Sequence, residues 1–458
     1  MAAKVNVPVD PQQDADFDRA FEFLKGLVDW AEMDRKHPLR GNAVYSTSIV
    51  LWMLVYQRMN RDSSLEAAVK MLLETSPSFL PQNKRVDEGT LSPNTGAYSR
   101  ARKRLPLDAA YCMADRVSQS LIEATEPSFE GRRGFLLDGT TITLAPEPAL
   151  LKAFPPASNQ HGESAFPTAL LVVAHELASG AALQPVVGAM YGENAVSETA
   201  LVRDAIAQMP EDGITVADAG FGIFSVAWEA HQARRDFLLR LTRQRFMAMC
   251  RKATAVERDA RSTTYSLTWR PSAKEIRNHP EWPQNPALDV RLHEIKIHDS
   301  LTLYLVSSLP HSAECLSNLY RRRVDIEIDI RNIKVVLKTE NIAARSVSMF
   351  HKELMASMVA YNLVIQFRRQ AAKLADVPPR RLSFKRTWTT FKTRLWSKIF
   401  TDAAECRIQY RKVLASAAKD KLPNRPGRSY ERETYHKRDK STSFKKRKRR
   451  NAVSKAES

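Results

Sequence analysis

The middle of the sequence predicts a mixed α/β fold, and the regions on either side of it predict helices. Two observations lead to this prediction. From near Gly134, short apolar and β-branched runs alternate with helical patterns and are separated by turn residues, as strands are. Before about Pro127 and after about Phe350, apolar residues recur at helical spacing instead. An order of three strands, helix, strand, helix and strand is typical of one mixed sheet covered by helices.

The chain has 458 residues, which is too long for one small core. We therefore expect several regions along it. In chain order these are a helical N-terminal domain (residues 1–130), a mixed α/β domain (131–345, with a β-rich insertion over about 247–308), a helical C-terminal domain (346–420) and a disordered basic tail (421–458).

The charge of the chain is strongly positive, with a formal net charge of +19. About half of this excess lies between Lys421 and Arg450, where thirteen Lys and Arg residues face three acidic residues. A large positive field favours polyanions as partners, either nucleic acid or an acidic membrane surface.

Several classes of protein are disfavoured by what the sequence lacks. The four cysteines are far apart, so a zinc site or a disulfide framework is not expected. The first ten residues carry no signal-peptide core, and the most apolar run, Ser48–Tyr56, is far shorter than a membrane span. No phosphate-binding loop or dinucleotide fingerprint occurs. We expect a soluble intracellular protein without a nucleotide cofactor.

In the N-terminal region, the segment Asn83–Arg104 combines a polar turn with a basic helix. A turn that leads into such a helix is how helix-turn-helix modules present side chains to the major groove of DNA. A solvated charged surface is the alternative. The candidate DNA-contacting residues are Arg100, Arg102, Lys103 and Arg104.

The α/β region divides into elements in a clear order. The predicted strands are Phe135–Thr143, Ala169–Glu176, Leu183–Met190, Ile214–Ala217 and Phe237–Leu241, with helices over Ser197–Gln208 and Phe224–Gln232. Ser197 is a candidate N-cap, and we interpret Glu198 as part of the first turn of that helix. The insertion adds alternating strands over Thr264–Trp269, Ala287–Ile297 and Leu301–Ser307.

Two aspartates end apolar, strand-like runs: Asp138 in Phe-Leu-Leu-Asp-Gly-Thr and Asp218 in Thr-Val-Ala-Asp-Ala-Gly. An Asp in this position points into the cleft at the edge of a sheet. The glycine close behind each lets the backbone turn and lets a ligand approach. A turn-capping role is the alternative for either residue alone.

The stretch from Tyr320 to Lys338 contains no Gly or Pro, so it can run as one helix. At roughly 100° per residue, one face of about 80° carries a single carboxylate, Glu327, among cations and a tyrosine. Asp325 and Asp329 face the other way. A surface ladder of ion pairs is one interpretation of this face. The face that carries Glu327 also contains Tyr320, Arg323, Arg331, Lys334 and Lys338.

Two such aspartates in one sheet and a lone Glu on a basic helix face make three unpaired carboxylates, which would repel one another on converging unless a cation is present. Hard divalent ions such as Mg²⁺ take oxygen ligands. Two such ions about 4 Å apart stabilise the attacking and leaving oxygens of a phosphodiester displacement. Asp138, Asp218 and Glu327 therefore form a candidate metal site, and the neighbouring cations are candidate phosphate ligands.

Tyr320, Arg323, Glu327 and Lys334 fit the pattern Y-x2-R-x3-E-x6-K. This pattern, together with the upstream Asp-Gly-Thr and Asp-Ala-Gly-Phe-Gly, resembles the signature of the insertion-sequence-four group of DDE transposases over roughly residues 130–345. Position 324 is Val and position 329 is Asp, where many relatives carry bulky apolar or aromatic residues. We therefore expect the helix to pack differently on its non-catalytic face.

The resemblance implies a ribonuclease H-like catalytic domain in which Asp138, Asp218 and Glu327 bind two Mg²⁺ ions, with Mn²⁺ as a substitute. It implies cut-and-paste transposition by a homodimer that binds the terminal inverted repeats of its own element and the target DNA. Tyr320, Arg323 and Lys334 would contact terminal phosphates. The cytoplasm of a prokaryote, with association to the nucleoid, is the expected location.

Members of this group that form a DNA hairpin stack an aromatic residue on a flipped base. Tyr304 is the candidate, with Trp269 behind it, although an aromatic residue inside a strand is the plainer interpretation. Two alternatives to an active transposase remain: a non-catalytic DNA-binding regulator derived from one, and a structure-specific nuclease that never joins ends.

Overall fold

The computed structural model describes residues 11–39, 44–60, 64–159, 162–336, 341–342, 344–396, 398–399 and 403–423. Residues 1–10, Lys338 and most of the basic tail lie outside these residues. Within the described ranges, none of the helices combines the length and the apolar character that crossing a membrane requires.

The N-terminal part of the chain is helical, as its spacing of apolar residues predicts. Side chains of Asp29, Ser46 and Ser64 cap three of the helices by accepting backbone N–H hydrogen bonds. The helices are α1 (Pro11–Gly26), α2 (Trp30–Lys36), α3 (Thr47–Met59), α4 (Leu65–Thr75), α5 (Lys84–Asp87), α6 (Gly96–Arg104) and α7 (Leu107–Glu123).

The α/β part contains the predicted strands and helices in order, with one short helix and two short strands added between the first two predicted strands. Its elements are β1 (Gly134–Leu144), α8 (Pro148–Ala153), β2 (Ser158–Asn159), β3 (Gly162–Glu163), β4 (Thr168–Glu176), β5 (Val186–Ala189), α9 (Val202–Ala207), β6 (Ile214–Ala217), α10 (Phe224–Gln232) and β7 (Asp236–Arg240).

The centre of the sheet has the order β5-β4-β1-β6-β7. β4 runs antiparallel to β1, whereas β6 and β7 run parallel to β1 and to each other. A meander of three strands followed by two parallel strands on the other side of β1 is the ribonuclease H-like arrangement. The predicted fold class is therefore confirmed.

The insertion extends this sheet. β11 pairs antiparallel with β7, and the order continues through β10 and β9 to β8 at the edge. The sequence does not predict β8, because all five of its residues are exposed and no apolar alternation marks it. These elements are α11 (Arg243–Cys250), β8 (Thr254–Arg258), β9 (Ser262–Trp269), α12 (Ala273–Asn278), β10 (Leu288–His298) and β11 (Leu301–Ser307).

The C-terminal part returns to helices. Ser346 caps a helix of 28 residues, and this helix crosses the face of the sheet formed by residues such as Leu137 and Ala217. The elements are α13 (Ala313–Arg321), α14 (Val324–Arg331), β12 (Asn341–Ile342), α15 (Val347–Leu374), α16 (Phe384–Arg394) and α17 (Ala403–Ala417). The opposite face, which includes Leu136 and Val216, packs on α13 and α14.

The prediction of one helix from Tyr320 to Lys338 is wrong. α13 ends at Arg321, α14 begins at Val324, and the helix widens into a π-turn over Asn332–Val336. At the break, the N–H groups of Arg323 and Asp325 bond to carbonyls three residues back instead of four. The Arg322 guanidinium donates to the Leu177 carbonyl at 2.7 Å, so a tertiary contact stabilises the irregular turn.

Candidate active site

The register of the sheet brings two aspartates side by side. β1 and β6 are paired from Gly134 with Ile214 to Leu137 with Ala217. Asp138 is the next residue of β1, and Asp218 follows directly after the end of β6. Neighbouring strands lie about 4.8 Å apart. The backbones of Asp138 and Asp218 are therefore neighbours where β6 ends.

Strand alternation decides which way these aspartates point. Leu136 and Val216 pack on the face covered by α13 and α14, and residues two positions further along a strand share its face. Asp138 and Asp218 therefore project toward α14. Asp138 does not end its strand, as the sequence suggested, because β1 continues to Leu144 beside β4.

Gly139, the glycine after Asp138, does not make the backbone turn that the sequence predicts. Gly139 lies inside β1 and has no positive φ angle, so it makes no turn. A Cβ atom at this position would lie 2.2 Å from both Cδ and Oε1 of Glu198. Gly139 therefore leaves room for the Glu198 side chain, which packs directly against the backbone of β1.

Arg323, at the break between α13 and α14, contacts all three predicted carboxylates. Its Nη2 atom lies 3.6 Å from Asp138 Oδ2 and 3.5 Å from Asp218 Oδ2. Its Nη1 atom donates to Glu327 Oε1 at 2.9 Å. Carboxylates from β1, the end of β6 and α14 thus surround one guanidinium group.

Burial and charge both act on these carboxylates. Burial raises the pKa of Asp138 from 3.8 to about 6; the Arg323 charge and the Gly139 N–H oppose this rise, whereas Asp218 and Glu198 add to it. Burial and the charge of Asp218 also raise the pKa of Glu198. Negative charge therefore exceeds the positive charge supplied by Arg323, and the site favours a further cation.

The donor chemistry of the site suits a hard divalent ion, since the acidic side chains offer only oxygen atoms. As placed, however, the described residues contain no group of three or more His, Cys, Asp or Glu side chains gathered closely enough to hold a metal. The reason is visible in the geometry, because the Arg323 guanidinium lies between Glu327 and the two aspartates.

The other members of the Y-x2-R-x3-E-x6-K pattern have different surroundings. Lys334 donates to Thr140 Oγ1 at 3.2 Å, two residues beyond Asp138 on the same face of β1. Tyr320 is buried in the apolar cluster beneath α13, and burial raises its pKa. Arg331 is exposed at the end of α14.

Tyr304 lies on β11, where its half-buried ring packs on Phe246 with centroids 4.7 Å apart. Trp269 is buried and makes an edge contact with Phe224. The Trp269 ring is therefore part of the core and is not accessible for stacking on a base.

The basic helix α6 divides its cations between two environments. Arg102 donates to Glu353 of α15 at 2.7 Å, and the Tyr98 hydroxyl donates to Gln57 of α3. These contacts anchor one face of α6 to the helical core. The remaining cations, Arg100, Lys103 and Arg104, are exposed.

A buried ion-pair network lies behind Glu327, where the sequence predicts no role. Arg380 donates to both oxygens of Asp329, at 3.1 and 2.7 Å, and its Nε atom lies 3.1 Å from Asp325. Asp329 is fully buried. His175 Nδ1 lies 3.6 Å from Asp329, but burial lowers the pKa of His175 to about 4, so this imidazole is neutral at pH 7.

Together, the ribonuclease H-like sheet and the acidic cleft at the end of β6 define the class of the protein. The family model described as the transposase DDE domain matches residues 129–363, which is just over half of the chain and includes Asp138, Asp218 and Glu327. The chain therefore belongs to this family of transposase domains, which generally use divalent metal ions.

Among solved structures, the chain is similar to one described as a cryo-EM structure of the piggyBac transposase synaptic complex with hairpin DNA. The identity is 12%, the match covers 93% of this chain and 87% of that chain, and the TM-score is 0.40. No curated protein matches the chain.

Proposed function

We propose that this transposase belongs to the insertion-sequence-four group, binds the terminal inverted repeats of its own element and catalyses Mg²⁺-dependent strand cleavage and strand transfer. The observation that carries the proposal is the convergence of Asp138, Asp218 and Glu327 on one guanidinium from three separate elements. A protein that only binds DNA has no use for three carboxylates in a cleft.

Asp138, Asp218 and Glu327 are the proposed metal ligands. Two bound Mg²⁺ ions would supply the positive charge that activates the attacking oxygen and stabilises the leaving oxygen of the phosphodiester; Mn²⁺ is a proposed substitute. Asp138, on β1, and Asp218, directly after β6, form one side of the proposed site. Glu327 closes it from α14.

Arg323 takes part in both states of this proposed site. Without cations, its guanidinium offsets part of the repulsion between the carboxylates. Its Nε atom is buried and has no hydrogen-bond partner among the described residues. With cations held by the carboxylates, the guanidinium would be free to donate to a phosphate oxygen of the DNA end. Lys334, which already lies above β1, adds a second phosphate contact.

The proposed DNA surface extends from this cleft. Arg331 is exposed at the end of α14 and is a proposed contact. Tyr320 and Lys338 also stay proposed contacts, and Lys338 lies outside the described residues. Arg100, Lys103 and Arg104 on α6 present exposed cations to DNA. Arg102 is better explained by its buried pair with Glu353. Tyr304 is half-buried against Phe246, and base stacking by its ring stays a hypothesis. A homodimer on two DNA ends is the proposed assembly.

The DNA that surrounds the gene tests the class of reaction. A pair of short inverted repeats bounded by direct repeats is expected on either side. A plasmid that carries these two ends should then be cut at their boundaries by the purified protein in the presence of Mg²⁺. Specific binding to the ends without any cleavage, in Mg²⁺ or Mn²⁺, would favour a non-catalytic regulator. Cleavage without joined products would favour a nuclease.

A further inference from the structure

The Arg323 guanidinium lies between the three carboxylates of the proposed metal site. Its Nη2 atom is 3.6 Å from Asp138 Oδ2 and 3.5 Å from Asp218 Oδ2. Its Nη1 atom donates to Glu327 Oε1 at 2.9 Å. As placed, the described residues form no cluster of three or more His, Cys, Asp or Glu side chains that could hold a metal. The positive charge among these carboxylates is therefore supplied by the chain itself.

The aspartate oxygens that face Arg323 are the ones that the backbone leaves over. Asp138 Oδ1 accepts from the N–H of Gly139 at 2.9 Å. Asp218 Oδ1 accepts from the N–H of Gly220 at 2.8 Å. In each aspartate the other oxygen, Oδ2, contacts Arg323. A divalent cation also needs carboxylate oxygens, so it competes with the guanidinium for these two atoms.

The hydrogen-bonding capacity of Arg323 is not used up in this position. Its side chain is 17% exposed, and its Nε–H group is buried and donates to no acceptor among the described residues. Nε and Nη2 form one edge of the planar guanidinium, and such an edge matches the spacing of two phosphate oxygens. A phosphate of the DNA end would therefore satisfy a donor that the carboxylates leave unpaired.

The backbone on both sides of Arg323 is anchored, so its side chain can change partners while α14 stays in place. Arg322 donates at 2.7 Å to the carbonyl that follows directly after β4. Arg380 donates to Asp329 on α14 at 2.7 Å. The Glu327 side chain, in contrast, is 43% exposed. Once the guanidinium leaves, this side chain has room to turn toward the two aspartates.

We propose that Arg323 is an internal counter-ion that closes the metal site in the DNA-free protein, and that a phosphate of the DNA end opens the site by drawing the guanidinium away. This inference rests on the proposed function, because it assigns a means of control to that metal site. It predicts that DNA and the divalent cation bind cooperatively, each tightening the binding of the other by the same factor. Cleavage is then confined to protein that already holds a DNA end.

Binding of Mn²⁺ to the DNA-free, full-length protein, measured by electron paramagnetic resonance, tests the closed state independently of cleavage. Arg323→Gln should bind Mn²⁺ more tightly than the parent by about fivefold or more, the lower end of the usual range of coupling between two sites. Arg321→Gln is the matched control and should bind Mn²⁺ as the parent does, because Arg321 is exposed at the end of α13 and its replacement removes the same charge. Equal gains in the two variants would mean that net charge alone sets the affinity, and the proposal would fail.

A second comparison separates this inference from the metal site on which it rests. Asp218→Asn, added to Arg323→Gln, should lose the bound Mn²⁺. Asp204→Asn in the same background should keep it, because Asp204 is an exposed carboxylate on α9. If Asp218→Asn loses Mn²⁺ but Arg323→Gln shows no gain over the parent, only this inference fails. If Asp218→Asn leaves Mn²⁺ binding unchanged, the proposed metal site fails as well. A thermal unfolding transition shows that each variant is folded.

A short duplex that ends at the boundary of the terminal repeat tests the opening step, since it supplies phosphates but has no bond left to cut. At a saturating concentration, this duplex should tighten Mn²⁺ binding to the parent by about fivefold or more. Arg323→Gln, whose site is already open, should gain much less. An equal gain in both proteins would show that the guanidinium does not link the two sites.

Discussion

At the scale of single residues, the carboxylates of the candidate site outnumber the one positive charge that Arg323 supplies. Asp138 is partly buried, and burial disfavours its charged form. The Arg323 charge offsets only part of this effect, so the pKa of Asp138 rises to about 6. An unfolded chain releases the same proton near 3.8. The folded protein therefore binds more protons than the unfolded chain between about pH 4 and pH 6, and its stability falls as the pH rises through this range.

Asp138→Asn should remove this cost. In the absence of divalent cations, the variant should be more stable than the parent at pH 7 by about 2–3 kcal/mol, since one pKa unit corresponds to about 1.4 kcal/mol. At pH 4 the two proteins should have nearly equal free energies of unfolding. Urea denaturation at both pH values measures this, with the exposed Asp204→Asn as a control. A gain of the same size at both pH values would contradict the explanation.

At the scale of elements, the position of Glu327 depends on contacts made behind it. α14 is a short helix between an irregular turn and a π-turn. Arg380, just before α16, fixes this helix to the C-terminal region through Asp325 and Asp329. Asp329 is fully buried, so among the described residues Arg380 supplies its strongest counter-charge while His175 is neutral.

Arg380→Met should therefore destabilise the protein by about 3–5 kcal/mol, because it removes the side chain that donates to both oxygens of the buried Asp329 carboxylate. Arg386→Met is the matched control. Arg386 is exposed and lies 3.9 Å from Asp420, so its replacement should cost less than about 1 kcal/mol. Urea denaturation at pH 7 compares the two variants, and equal effects would show that the Asp329 pair does not stabilise α14.

The sequence predicts regular elements better than it predicts their interruptions. Asp138 and Asp218 are recognisable because apolar strand residues precede them, and the register of parallel strands then brings them together. The break at Arg322 and Arg323 has no local signal, since it is stabilised by a distant carbonyl and by the carboxylates. Arg380 is equally invisible, because its partners lie some 50 residues earlier in the chain.

The sequence shows that a glycine follows Asp138, but it does not show why a glycine is needed there. The glycine after Asp138 is visible in the sequence, where its position favours a turn and the approach of a ligand. The backbone there is a regular strand, and the group that approaches it is the Glu198 side chain. Contacts between segments about 60 residues apart need the folded arrangement before they can be assigned.

At the scale of the whole molecule, the net charge is +19, and about half of this excess lies near the C-terminus. Thirteen Lys and Arg residues lie between Lys421 and Arg450, most of them beyond the described residues. We propose that this segment adds phosphate contacts that do not depend on DNA sequence, while the cleft at β1 and β6 receives the reacting strand.

Truncation after Lys419 should weaken DNA binding for all sequences alike and flatten its salt dependence. The slope of log K against log salt should change by about 0.9 for each phosphate that the truncated protein no longer neutralises. Deletion of residues 451–458 is the control, because this segment has one Lys and one Glu and carries no net charge. Fluorescence anisotropy at several salt concentrations gives both slopes. An unchanged slope after truncation would mean that the tail does not bind phosphate.

The central claim is that Asp138, Asp218 and Glu327 form one metal-dependent cleavage site. Its most direct test is the cleavage of terminal-repeat DNA in Mg²⁺ by Asp138→Asn, Asp218→Asn and Glu327→Gln, alongside Asp204→Asn, with binding to the same DNA measured in the absence of Mg²⁺. Each of the three substitutions should abolish cleavage and leave binding intact, and Asp204→Asn should cleave normally. Full cleavage by any one of the three would contradict the assignment of that residue to the site.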